Sequence, residues 1–218
     1  MKIGTATSVL HYYAIQDAIE VVAEAGFDGV DIWGGRPHVY RHDWSAQELN
    51  ALRQQMAAAG LSASSFMPAF YRYPHSLSNP NANVRRDSIE YMRVCVDNAA
   101  TLGAKVVLVV PDHSLHGQTV ADSRKRMTES VGEVAEYAKQ YDRKSGVDVL
   151  SPDEPALPVC TNDALAIMNA LGVSNVGVVL DSGALHVTKE SLAESLAKLK
   201  DRFLQIHVSD HQGPCQQN

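Results

Sequence analysis

The sequence predicts an α/β protein in which strands and helices alternate along the chain, as in a (β/α) barrel or a doubly wound sheet. Three observations carry this. Amphipathic segments repeatedly end in Gly and lead at once into short β-branched runs: "VVAEAGFDGVDIW", "QQMAAAGLSASSF", "AATLGAKVVLVV", "RKSGVDVL" and "MNALGVSNVGVVLD". The runs "VVLVV" (106–110) and "VGVVL" (176–180) are continuously apolar, the pattern of parallel strands covered on both faces. Acids and histidines gather where the runs stop, which turns built only for structure would not require.

In chain order, strands are expected near 2–5, 29–33, 61–66, 106–110, 147–150, 176–180 and 203–208. Gly26, Gly60, Gly103, Gly146 and Gly172 are read as helix terminators, because Gly enters the left-handed region without a Cβ clash. Ser45-Ala46-Gln47-Glu48 forms a capping box opening a helix with Leu49, Leu52 and Met56 on one face. Ile89, Met92, Val96 and Ala99 recur at helical spacing, as do Met127, Val131, Val134 and Ala138, and Leu192, Leu196 and Leu199. These stripes are read as core packing against a sheet. No linker-like stretch interrupts the pattern, so residues 1–218 are expected to form a single barrel-like domain. No GxGxxG follows the first strand and no GxxxxGK[ST] occurs, which counts against nucleotide binding.

With 45% hydrophobic and 20% charged residues, the composition is that of an ordinary globular protein. The net charge of -6 argues against a general nucleic-acid binder, which needs a basic surface. Cys95, Cys160 and Cys215 show no metal-like spacing and are read as free thiols in a reducing compartment. The opening "MKIGTATSVL" resembles neither a signal peptide nor a membrane span, so a cytoplasmic enzyme without a membrane partner is expected.

In α/β folds the active site lies outside the carboxyl ends of the strands. Asp31, Trp33, Gly34 and Gly35 stand at the end of strand two, and Met67-Pro68 follow strand three. Pro111-Asp112-His113 follow strand four, and Ser151-Pro152-Asp153-Glu154 strand five. Asp181 ends strand six, and His207, with Ser209 and Asp210, ends strand seven. Asp181 is read either as a helix cap or as a metal ligand, and His207 either as a satisfied core histidine or as a ligand. Their matching placement on consecutive strands favours a metal. His11, Tyr12 and Tyr13 line a pocket or an exposed loop, Trp33 stacks on a sugar or packs, and His113 faces the site from strand four.

"GFDGVDIWGGRPHVY", "VVLDSGALHV" and "QIHVSDHQG" resemble the xylose isomerase-like TIM barrels of the sugar isomerase/epimerase superfamily. The branch they are most similar to holds fructoselysine 3-epimerase and the tagatose/psicose 3-epimerases. The resemblance implies a TIM (β/α)8-type barrel acting on a ketose or ketose derivative by proton transfer through an enediolate. It implies one divalent metal ion, Mn first, with Co, Zn or Mg as alternatives, held by acids on strands five, six and eight and a His on strand seven. Carried over, Asp181 matches the strand-six ligand and His207 the strand-seven ligand. It also implies a small-molecule sugar substrate and self-association into a homo-oligomer. Arg36-Pro37-His38 are expected, on the same ground, to meet an anionic or amino-acid part of the substrate.

The chain departs from that pattern in three places. Strand five is expected to end in "LEP", where this sequence has Leu150-Ser151-Pro152. Glu154 is the nearest acid, and is assigned as third metal ligand and catalytic base. Ala184 stands where relatives carry a substrate-contacting His; His186 is assigned that contact if the segment after Asp181 stays extended. No eighth strand is found before the sequence ends at "GPCQQN". Two alternatives stand beside the isomerase. One is a non-catalytic sugar- or partner-binding barrel that has lost its ligands. The other is an apurinic-site endonuclease-like enzyme, disfavoured by its need for more ligands and by the acidic charge.

Overall fold

The computed structural model describes residues 2–70, 74–110, 112–149 and 157–209. Seven strands run parallel in one sheet: β1 (Gly4–Ala6), β2 (Gly29–Gly34), β3 (Ser62–Pro68), β4 (Val106–Val109), β5 (Lys144–Asp148), β6 (Val176–Asp181) and β7 (Phe203–His207), paired in that order. Helices α1 (Ile15–Glu24), α2 (Ala46–Ala58), α3 (Ala82–Leu102), α4 (Val120–Ala138) and α5 (Thr161–Leu171) connect consecutive strands from β1 to β6. Two shorter helices, α6 (Ser182–Thr188) and α7 (Leu192–Leu199), lie between β6 and β7.

The sheet curls into a barrel. Gln205 of β7 donates to Ser65 Oγ of β3 at 3.3 Å, and His207 Nε2 lies 3.5 Å from Asp31 Oδ2 of β2. Strands far apart in the pairing order share one interior, which an open doubly wound sheet does not permit. Among the described residues β1 pairs only with β2, and β7 only with β6.

Alternation along the strands sorts their side chains. Val30, Ile32, Phe66, Val107, Val109, Val147, Val178 and Leu180 point outward and join one buried cluster with the helix stripes of α2, α3 and α4. Each such large apolar side chain contributes about 1.5–3 kcal/mol when buried. The capping box at α2 is present, with Glu48 N donating to Ser45 Oγ and Ser45 N to Glu48 Oε2. The stripe on α7 is only partly core. Leu199 is buried, but Leu192 and Leu196 are exposed, because α7 packs on α5 and no described element covers its other side.

Gly26, Gly60, Gly103 and Gly172 adopt positive φ after their helices, as expected. Gly146 does not. It lies inside β5, level with Gly177 of β6, where a Cβ would come within 2.9 Å of Val106 Cγ1 and Val179 Cγ2. The left-handed residue before β5 is Asp142, at φ 53°. Strand five therefore occupies Lys144–Asp148 and not 147–150. Cys95 and Cys160 are free thiols; Cys215 lies outside the described residues. Among the described residues no helix is long and apolar enough to cross a membrane.

Candidate active site at the carboxyl ends of the strands

Asp181 and His207 are the last residues of β6 and β7 and lie directly in register. Asp148, the last residue of β5, is paired with Val179, so alternation places it on the same interior face as Asp181, one step deeper. Asp31 reaches the same space from β2. His207 stands between two acids: its Nε2 is 3.5 Å from Asp31 Oδ2, and its Nδ1 is 3.8 Å from Asp148 Oδ2. Gln205 Nε2 also approaches His207 Nε2, at 3.1 Å.

Asp181 is the cap that one of its two readings expected. Its Oδ1 accepts the Ala184 N–H at 2.9 Å and caps α6, and Ser209 Oγ approaches the same oxygen at 3.5 Å. The cap uses one carboxylate oxygen, leaving Oδ2 for another partner. Asp148 Oδ1 similarly accepts the Val149 N–H at 3.0 Å, so its carboxylate is fixed while Oδ2 faces His207.

Charge is concentrated here with little solvent to screen it. Burial pushes the Asp148 carboxyl up to about 7, with Asp181 and Asp31 adding to the rise and His207 opposing it. For His207, burial acts to lower the pKa. The hydrogen bond to Asp31 and the charges of Asp148, Asp31 and Asp181 outweigh it, and the imidazole is raised. The surrounding acids thus favour the protonated form of His207. The donors, carboxylates with one imidazole, are of the kind that holds a borderline or hard divalent metal. Among the described residues no three His, Cys, Asp or Glu stand as a closed metal-binding group. The donor set fits a metal in chemistry and location, and binding would draw it together.

The other expected residues divide. His113, beyond β4, is partly exposed at the rim and held by Asp112. Asp112 Oδ1 accepts the His113 N–H at 2.7 Å and lies 3.3 Å from Nδ1. Asp112 is itself buried and accepts from Ser76 Oγ and Ser78 N, so it ties the segment after β3 to the end of β4. His186 is exposed on α6. The chain coils into a helix immediately after Asp181, so the extended path that would align His186 with it does not form. Glu154 lies outside the described residues.

The expectation for Arg36-Pro37-His38 is corrected at His38. Arg36 pairs with Asp43 through two contacts of 2.5 and 2.9 Å at the surface. His38 is 1% exposed and bridges Thr7 Oγ1 and the Tyr13 carbonyl, as a brace between the segments after β1 and β2. Trp33 shares the interior face with Asp31. Its N–H donates to Thr7 Oγ1, and its ring stands edge-on to His38 and covers Gly35. Tyr12 and Tyr13 are exposed on the segment after β1.

Asp148 is the residue at the candidate site that the sequence reading did not place at a strand end. Placing the terminator at Gly146 pushed strand five too late and put its end at Ser151. Asp142 was the available signal, since Asp enters the left-handed region more readily than most residues. Reading it as the helix terminator puts Asp148 at the strand end.

A parallel barrel with a His–carboxylate cluster at its carboxyl-end mouth defines a class of (β/α)-barrel enzymes. The model of the Xylose isomerase-like TIM barrel family matches residues 19–218, and the chain belongs to that family. Fructoselysine 3-epimerase from Shigella flexneri is 27% identical over 98% of this chain and 77% of its own length. The crystal structure of a D-psicose 3-epimerase in the presence of D-fructose superposes with TM-score 0.83 at 19% identity, covering 99% of this chain and 78% of that one. A 3-keto-D-glucoside 4-epimerase from E. coli superposes with TM-score 0.81 at 16% identity, covering 99% of this chain and 84% of that one. These relatives are sugar epimerases, and so isomerases.

Proposed function

We propose that this chain is a metal-dependent isomerase or epimerase of a ketose or ketose derivative. The observation that carries the reading is the in-register pair Asp181 and His207 at the carboxyl ends of adjacent strands, with further carboxylates turned toward His207. The family membership and the names of its relatives support the substrate class. Asp181 and His207 would hold a divalent cation, Mn first, with Glu154, the nearest acid after β5 in sequence, as the catalytic base.

The reaction proceeds by proton transfer beside a carbonyl. A carboxylate of the site takes the proton from the carbon bearing the adjacent hydroxyl, giving an enediolate. A proton returned to the opposite face inverts that carbon. When bound, the cation supplies Lewis-acid stabilisation of the oxygen charge that develops as the proton leaves. Asp181, fixed by its cap on α6, and His207, fixed between acids, have little orientation left to lose on binding. His113, held by Asp112 at the rim, would meet the far hydroxyls of the sugar.

The test is conversion of D-fructose, D-psicose, D-tagatose and fructoselysine by protein loaded with Mn or Co, followed by NMR of the products. Epimer formation that stops on chelation supports the reading. No conversion of any of the four by metal-loaded protein favours the non-catalytic barrel.

A further inference from the structure

We infer that Asp148, rather than an acid beyond the end of strand five, is the strand-five ligand of the metal site. The inference rests on the metal-dependent reading above and deepens it. Asp148, Asp181 and His207 end three consecutive strands, and register with alternation turns all three side chains to one interior face. Asp148 is 5% exposed, and one of its oxygens is tied to the Val149 N–H. The other oxygen, Oδ2, is turned toward His207 Nδ1 at 3.8 Å.

That separation suits two donors sharing one ion. With metal–ligand bonds of about 2.1 Å, two donors stand about 3 Å apart when adjacent and about 4.2 Å apart when opposite. The Asp148–His207 spacing of 3.8 Å lies between these two values, so an adjustment of less than about 1 Å brings the pair onto one ion. Asp31 completes the arrangement from β2, 3.5 Å from the other ring nitrogen. Gln205 Nε2 lies 3.1 Å from the same nitrogen, so Asp31 and Gln205 together hold the imidazole's orientation and are positioning residues. The β5 backbone supports the assignment further. Gly146 lets β5 pack closely below the site, since a Cβ there would press on Val106 of β4 and on Val179 of β6, the residue paired with Asp148.

The test is Co(II) binding to the full chain, read from the visible absorption of the bound ion and by competition with a chelating dye. Wild type, Asp148→Asn, Asp148→Glu, Glu154→Gln and Asp181→Ala are compared. Asp148→Asn is expected to weaken binding at least about tenfold and to change the Co(II) spectrum. Asp148→Glu is expected to recover part of the affinity, and Glu154→Gln to stay within about twofold of wild type. An unshifted melting temperature of metal-free Asp148→Asn shows that the fold survives. Should Asp148→Asn bind as wild type does while Asp181→Ala does not, the assignment of Asp148 is overturned and the metal reading stands. Should wild type itself bind no Co(II) or Mn(II), the metal reading fails, and this assignment with it.

Discussion

His75 sits in the segment after β3, and acid should destabilise the protein through it. The ring is 2% exposed and stacked on Tyr91 at 4.0 Å between centroids, with Phe70 at 5.4 Å. Among the described residues neither ring nitrogen has a hydrogen-bond partner, and the acid paired with the ring, Asp87, is exposed and 3.6 Å from Nδ1. Burial first, and then the Arg41 guanidinium, push the pKa down to about 4 from the usual 6.5, with Asp87 opposing weakly. Between those two values the unfolded chain binds a proton that the native state refuses. Stability therefore rises with pH across this window and is lost as pH falls from about 6.5 to about 4. Holding the ring neutral down to about 4 instead of 6.5 is worth about 3.5 kcal/mol when both forms are fully titrated, a large part of the roughly 5–15 kcal/mol that holds a typical domain together. His75→Phe keeps the stack and removes the proton site. Urea midpoints for both proteins at pH 7.5, 5.5 and 4.5 should show the variant gaining on wild type by up to about 3 kcal/mol as pH falls. Parallel pH profiles for the two proteins would refute the reasoning, since they would mean His75 titrates alike folded and unfolded.

Three further substitutions probe the frame around the site. Gly177→Ala places a Cβ 2.5 Å from Leu204 Cγ and 2.7 Å from the Arg202 carbonyl. It should cost about 1–3 kcal/mol in thermal unfolding by displacing β7 from β6. Asp112→Ala removes the acceptor for Ser76 Oγ, Ser78 N and His113 N. Leaving buried donors unpaired should cost at least about 3 kcal/mol, and limited proteolysis should cut faster in the segment after β3. Ser45→Ala removes the α2 cap and should cost about 1 kcal/mol, read from the urea midpoint, with metal binding unchanged.

Much of the barrel was legible because its signals are local. Apolar runs, helix stripes and left-handed glycines each depend on near neighbours, and the alternation of seven strands with helices follows from them. The fifth strand was misplaced because Gly146 carries the same letter as a helix terminator while serving a tertiary purpose, the close approach of β5 to β6. Its displacement hid Asp148, whose role depends on which residue ends the strand. His38 was misread for a related reason. Its partners Thr7 and Tyr13 come from a loop brought beside it only by the fold. Asp181 and His207 were found because strand-end acids and histidines stand out in sequence, whereas the Asp31–His207 contact across the barrel leaves no local trace.

The central claim, metal-assisted proton transfer beside a ketose carbonyl, is tested most directly by solvent deuterium. Mn-loaded protein incubated with the four ketoses in D2O should place deuterium on the carbon that is inverted, and Asp181→Ala should place none. Absence of deuterium from every ketose, with wild-type protein shown to carry its metal, would contradict the account.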